Sequence, residues 1–163
     1  TQKCIDLERN LELQKSNSVQ VLCAAVSDNL TTLLEKTSLP TDFELLNVDI
    51  DGNDYLAWST LENYSPKVVD IEINSRFPPG IHLIHPESLS HNGRGGTSFS
   101  AMLTLGTQKE YTLVTHPGNM IFVRNDMVKK LDLPKEEIEN PERLFSREFL
   151  LDPIWKKIIR KFF

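Results

Sequence analysis

From residue 3 to residue 126 the chain alternates short apolar runs with stretches of helical spacing, and several of the runs end in a carboxylate. KCIDLE reads as a buried strand that stops at Asp6 or Glu8, and RNLELQKSN as the helix that follows. VQVLCAAV, β-branched and small apolar residues between polar ends, reads as a second strand. SDNLTTLLEKTSLP predicts a helix capped by Ser27 or Asp28, with Leu30, Leu33 and Leu34 on one face and Pro40 closing it. FELLNVDID and KVVDIEIN predict a third and fourth strand, with the helix DYLAWSTLENY between them. After an irregular stretch from Ser75 to Gly96, TSFSAMLTLGTQKE predicts a helix. YTLVTH and MIFVRND then predict two strands joined at Pro117-Gly118-Asn119. Strands that alternate with helices require crossover connections. The expected architecture is therefore α/β and Rossmann-like, a mostly parallel sheet with helices on both faces and an antiparallel hairpin at one edge. The expected core spans residues 1–128, and residues 129–163 form a helical tail packed on it.

At 163 residues the chain is long enough for one buried core, and its 39% hydrophobic and 25% charged content is that of an ordinary globular protein. The formal net charge of −5 argues against a nucleic-acid partner, which requires a basic face. Cys4 and Cys23 lie in apolar runs with no zinc spacing, so both are expected to be buried free thiols of a reducing, cytoplasmic compartment. The acceptor patterns for N-glycosylation at Asn29 and Asn63 carry little weight without a signal peptide, and none is visible. The basic and aromatic tail IWKKIIRKFF is expected to pack on its own domain rather than lie on an anionic membrane surface.

The densest polar cluster is NVDIDGNDY, where Asp49, Asp51 and Asp54 surround Gly52 at the carboxyl end of a predicted strand. Ligands of open α/β sheets bind at such ends, and carboxylates there can hold ribose hydroxyls, an amine or a metal. The spacing fails as a calcium loop, because the glycine position holds Asp54 and the bidentate position holds Thr60. A turn with Asn53 or Asp54 capping the next helix accounts for the cluster equally well. Glu72 and Asn74 point to one face of the following strand. His82, His85 and His91 match no metal spacing, and Asn92 to Gly96 reads either as an anion cradle or as a hinge. His116 and Asn119 flank a turn and are expected to be structural.

Taken together, LLNVDIDGNDYLAW, KVVDIEIN, GGTSFSAMLTLGTQKEYTLV and MIFVRND resemble the second part of FkbM-like methyltransferases, from about Lys3 to Val128. The match rests on Asp49-Ile50-Asp51-Gly52, on Glu72, on Gly96 and Ser98 leading to Tyr111–Val114, and on the closing run from Phe122 to Asp126. The resemblance implies S-adenosylmethionine as cofactor and methyl transfer, usually to a hydroxyl oxygen, with a small molecule or glycan as acceptor. It implies that Asp6 and Glu8 hold the ribose, that Asp28 lies beside the adenine, and that Asp49 and Asp51 face the methionine moiety or the acceptor. Asp51, His85 and His91 are then the candidate general bases. The family's glycine-rich turn, and the central strand before it, would precede Thr1. The chain is accordingly expected to be a fragment of a larger enzyme or, alternatively, a non-catalytic Rossmann-like binding module.

Overall fold

The computed structural model describes residues 2–13, 19–50, 52–84 and 96–146. In chain order the elements are α1 (Gln2–Leu13), α2 (Leu30–Leu34), β1 (Leu45–Val48), α3 (Asp54–Ser59), β2 (Val68–Ile71), α4 (Phe99–Gln108), β3 (Tyr111–Thr115), β4 (Met120–Arg124), α5 (Asn125–Val128) and α6 (Lys135–Glu139), followed by a 3-10 turn at Pro141–Leu144. Among the described residues the strands form one mixed sheet in the order β1-β2-β4-β3. The protein is thus a small α/β fold.

β1 and β2 are parallel, with Leu46 opposite Val69 and Val48 opposite Ile71. β4 pairs antiparallel with β2 on one side and with β3 on the other, and the β3–β4 register shifts between Leu113 and Thr115. Two of the three pairings are therefore antiparallel, which corrects the expectation of a mostly parallel sheet. The reason lies in the hairpin. Its second strand, β4, inserts between β2 and β3, so a single reversed strand creates two antiparallel ladders while β1, β2 and β3 still share one direction.

The core follows the two-residue period of the strands. Leu46, Val48, Val69, Ile71, Leu113 and Phe122 are buried on one face. α3 and α4 both cover that face: the Trp58 ring lies 5.1 Å from Phe122, and Gly106 comes so close to Phe122 that a Cβ there would stand 2.3 Å from its ring. Asn53 opens α3, and Ala57 and Trp58 are its buried side. Ser98 caps α4 by accepting the Ala101 amide, and Phe99, Met102 and Leu105 are buried. The opposite face of the sheet carries Leu45, which is exposed, and the half-buried Val68, Asp70 and Ile121. Helices on both faces were expected, but among the described residues α3 and α4 share one.

The amino-terminal segment departs most from expectation. KCIDLE is not a strand; it belongs to α1, whose Ile5 and Leu7 are at least half exposed. Lys, Leu, Glu and Arg are good helix formers, and Gln2 bonds Asp6 one turn on at 2.9 Å. Residues 19–26, expected as a second strand, form neither strand nor helix. The two cysteines are not buried free thiols either. Cys4 and Cys23 form a disulfide, with Cα atoms 6.0 Å apart, and Cys23 is exposed. Beyond Val128, Leu144 and Phe145 pack against the core, while IWKKIIRKFF lies outside the described residues. No helix among the described residues is long and apolar enough to cross a membrane.

Candidate functional site at the carboxyl ends of the parallel strands

β1 and β2 finish side by side. The Glu72 amide donates to the Val48 carbonyl at 3.1 Å, carrying the ladder one residue past β2, so Asp49 and Glu72 leave the sheet at the same end. Asp49 is exposed, whereas Glu72 and Asn74 are half-buried. The Asn74 amide donates to the Thr97 carbonyl at 2.9 Å, and its side-chain oxygen accepts from the Arg76 amide at 3.1 Å. These bonds bring the segment before α4 against the end of β2. Gly96 makes the approach with φ +100°, and a Cβ there would stand 3.2 Å from Asn74 Cβ. A side chain at position 96 would meet both a strained backbone and a crowded neighbour.

Asp54 resolves part of the ambiguity in the acidic cluster. It is 3% exposed, and its two carboxylate oxygens accept the amides of Ile50 and Gly52, each at 3.0 Å. Burial pushes its pKa up, against the lowering effect of those backbone hydrogen bonds, and the neighbouring Asp49 carboxylate adds to the rise. Asp54 therefore clamps the loop between β1 and α3 through both of its oxygens. Asn53 is the residue at the helix cap, without a side-chain capping bond. In β2 itself, Asp70 accepts from Asn47 across the strands at 3.0 Å through one oxygen, while the other is buried without a hydrogen bond among the described residues.

The other described site residues, Asp6, Glu8 and Asp28, lie outside the sheet. Asp6 and Glu8 lie on α1, exposed to solvent and not at the end of a strand, so the ribose-holding role implied for them is not supported by their position. Asp28 is exposed and accepts the Ser27 hydroxyl at 2.9 Å, ahead of the α2 cap at Asn29. Asp51, His85 and His91 lie outside the described residues, as do Asn92 to Gly95. His82 is exposed. Among the described residues no group of three or more His, Cys, Asp or Glu is placed to hold a metal.

One polar pair was not anticipated. Ser75 and His116, both 3% exposed, meet with Oγ 3.0 Å from Nε2, although 41 residues separate them in sequence. The imidazole stacks on Phe145 with centroids 5.4 Å apart and meets Phe99 edge-on. Its Nδ1 accepts the Ser146 amide at 3.0 Å. An amide can only donate, so Nδ1 lacks the proton, and Nε2 carries it and donates to the Ser75 hydroxyl. That polarity is the reverse of what a serine nucleophile needs, since a general base must accept the hydroxyl proton. Burial lowers the His116 pKa, with a backbone hydrogen bond at Gly118 opposing it, so the ring is held neutral. The Ser75 contact ties the loop after β2 to the start of the β3–β4 turn, and the Ser146 amide ties the segment after the 3-10 turn to the same ring.

At the other end of the sheet, Arg124 ties three segments together. It donates to both Asp126 oxygens, to Asp42 at 2.7 Å and to the Ser65 carbonyl. These charge-assisted bonds hold its pKa far above the usual value. Compared with known proteins, the chain matches no family model, no curated protein and no solved structure.

Proposed function

We propose that this chain is the later part of a Rossmann-like, S-adenosylmethionine-dependent methyltransferase that transfers a methyl group to a hydroxyl of a small molecule or glycan. The observation that carries this reading is the parallel β1–β2 pair, whose adjacent carboxyl ends present Asp49 and Glu72 beside Asn74. Ligands of α/β sheets bind at such ends, and a carboxylate pair with an amide suits hydroxyl or ammonium groups. The donor set fits the cofactor in part: Asp49 and Glu72 suit its hydroxyl or ammonium groups, and Asp6 and Glu8 do not.

S-adenosylmethionine, when bound, supplies a methyl group already activated on a sulfonium. The protein's share of such a reaction is to orient the acceptor and to take up the hydroxyl proton. Asp51, His85 and His91 are the proposed proton acceptors, and alanine at each is expected to reduce turnover by the 10²–10⁴-fold typical of general-base loss only at the residue that fills the role. The second reading, a non-catalytic binding module, draws on the exposed helical position of Asp6 and Glu8. The compartment belongs to the same proposal. Cytoplasmic residence was inferred from free thiols, and the Cys4–Cys23 bond favours an oxidising compartment instead.

The test is calorimetric titration of S-adenosylhomocysteine into the chain, with any sequence that natively precedes Thr1 included. Binding that weakens about tenfold or more in Asp49→Asn or Glu72→Gln, equivalent to about 1.4 kcal/mol, and is unchanged in Asp6→Asn, supports the methyltransferase. No binding by the unaltered protein overturns it in favour of the non-catalytic module.

A further inference from the structure

We propose that Asn63 is an N-glycosylation site, and that the protein passes through an oxidising secretory compartment where the sugar is added. Asn63-Tyr64-Ser65 is an acceptor pattern, which by itself is common by chance. Three features of the fold give it weight. The disulfide between Cys4 and Cys23 belongs to an oxidising compartment, where such acceptors meet the transferring enzyme. Asn63 and Ser65 are both exposed, in the loop from α3 to β2, and Asn63 adopts φ +62°, a turn conformation that Asn tolerates well. The loop also stands at the far end of the sheet from the candidate ligand site. The Ser65 amide donates to Thr41 and the Lys67 amide to Phe43, opening the β1–β2 pair at its amino end. Asp49 and Glu72 lie beyond its carboxyl end, roughly 13 Å away by the rise of four strand residues. A glycan at Asn63 is therefore attached at the end of the sheet away from Asp49 and Glu72.

The second acceptor pattern, Asn29-Leu30-Thr31, is placed differently. The Asn29 side chain accepts the Ser27 amide and donates to the Ala25 carbonyl, each at 3.0 Å, while Leu30 is buried. The Thr31 hydroxyl accepts the Glu62 amide at 2.9 Å. The Asn63 pattern is also held, by Tyr64 against Phe43 and by Arg124 on the Ser65 carbonyl and hydroxyl, but Asn63 itself is exposed whereas Asn29 is half-buried.

In the proposed step the Asn63 side-chain nitrogen attacks the anomeric carbon of an oligosaccharide carried on a lipid diphosphate. A C–N bond forms and the C–O bond to the diphosphate breaks. The amide proton passes to a base of the transferring enzyme, and the lipid diphosphate leaves with the electron pair. Pro66 follows the acceptor and biases Ser65 toward extended backbone, so a mixture of glycosylated and bare chains is expected.

The experiment is secretion of the whole chain from eukaryotic cells behind a cleavable leader, then peptide N-glycosidase digestion in ¹⁸O-water and peptide mass mapping under non-reducing conditions. The expected result is an ¹⁸O-labelled aspartate at position 63, Cys4 and Cys23 in one linked peptide, and loss of the glycosylated form in Asn63→Gln. Ser65→Thr, which keeps the acceptor pattern, retains it. Absence of the label at position 63 in both the unaltered chain and Ser65→Thr, a label confined to position 29, or free thiols at Cys4 and Cys23 each overturn the proposal. None of these readouts depends on binding of S-adenosylhomocysteine, so this proposal and the methyltransferase reading fail separately.

Discussion

The fate of single residues depends on what the fold places around them. Asp54 and Asp49 belong to one acidic cluster in the sequence, yet one is buried with both oxygens occupied and the other faces solvent. His116 gives the sharpest residue-scale prediction. Burial lowers its pKa below the usual 6.5, so the unfolded imidazole takes up a proton that the folded one refuses. Its contribution to stability is present above pH 6.5 and is lost as the pH falls from there through the lowered folded value. Urea midpoints measured at pH 7.5 and pH 5.5 are expected to fall with acid in the native protein. They should fall less in His116→Phe, which keeps a ring against Phe99 and Phe145 and cannot titrate. An equal fall in both proteins would rule out His116 as the source.

At the scale of elements, the packing of α4 on the sheet depends on the absence of a side chain at Gly106. A Cβ there would meet three atoms of the Phe122 ring within 3.0 Å, and Phe122 is fully buried at the centre of β4. Gly106→Ala is expected to destabilise the protein by about 1–3 kcal/mol, the usual cost of overpacking, despite the better helix propensity of alanine. Chemical denaturation measures it, and a neutral or stabilising effect would show that the ring has room to move. Most of these elements were legible beforehand. α3, α4 and the four strands of the sheet announce themselves through apolar spacing and turn residues, which act over a few residues, although the residue that caps α4 is Ser98 and not the Thr97 that the spacing suggests. KCIDLE was misread because a short apolar run fits a strand or a helix equally well, and only the longer run of helix-forming residues through Leu13 separates the two.

For the whole molecule, the Cys4–Cys23 bond fastens α1 to the segment ahead of α2 across 19 residues. Replacing both cysteines by serine is expected to cost about 2–4 kcal/mol, chiefly by freeing the unfolded chain. A lowered thermal midpoint in the double variant, matched by the native protein under reductant, is the expected outcome; identical midpoints would show that α1 is not part of the cooperative unit. The sheet order is also a property of the whole. Three strands share one direction, yet the inserted β4 makes two of three ladders antiparallel.

What the sequence determined by itself was local: the four strands, the helices α3 and α4, the edge hairpin, and the gathering of carboxylates at strand ends. These follow from the periods of 2 and 3.6 residues and from turn and cap chemistry, which involve near neighbours only. The tertiary structure alone decided the rest. It paired Cys4 with Cys23 and brought Ser75 to His116 across 41 residues. It set Glu72 beside the end of β1, turned Asp54 inward and left Asp6 and Glu8 on an exposed helix. Each of these depends on which distant segments pack together, and no local period encodes that.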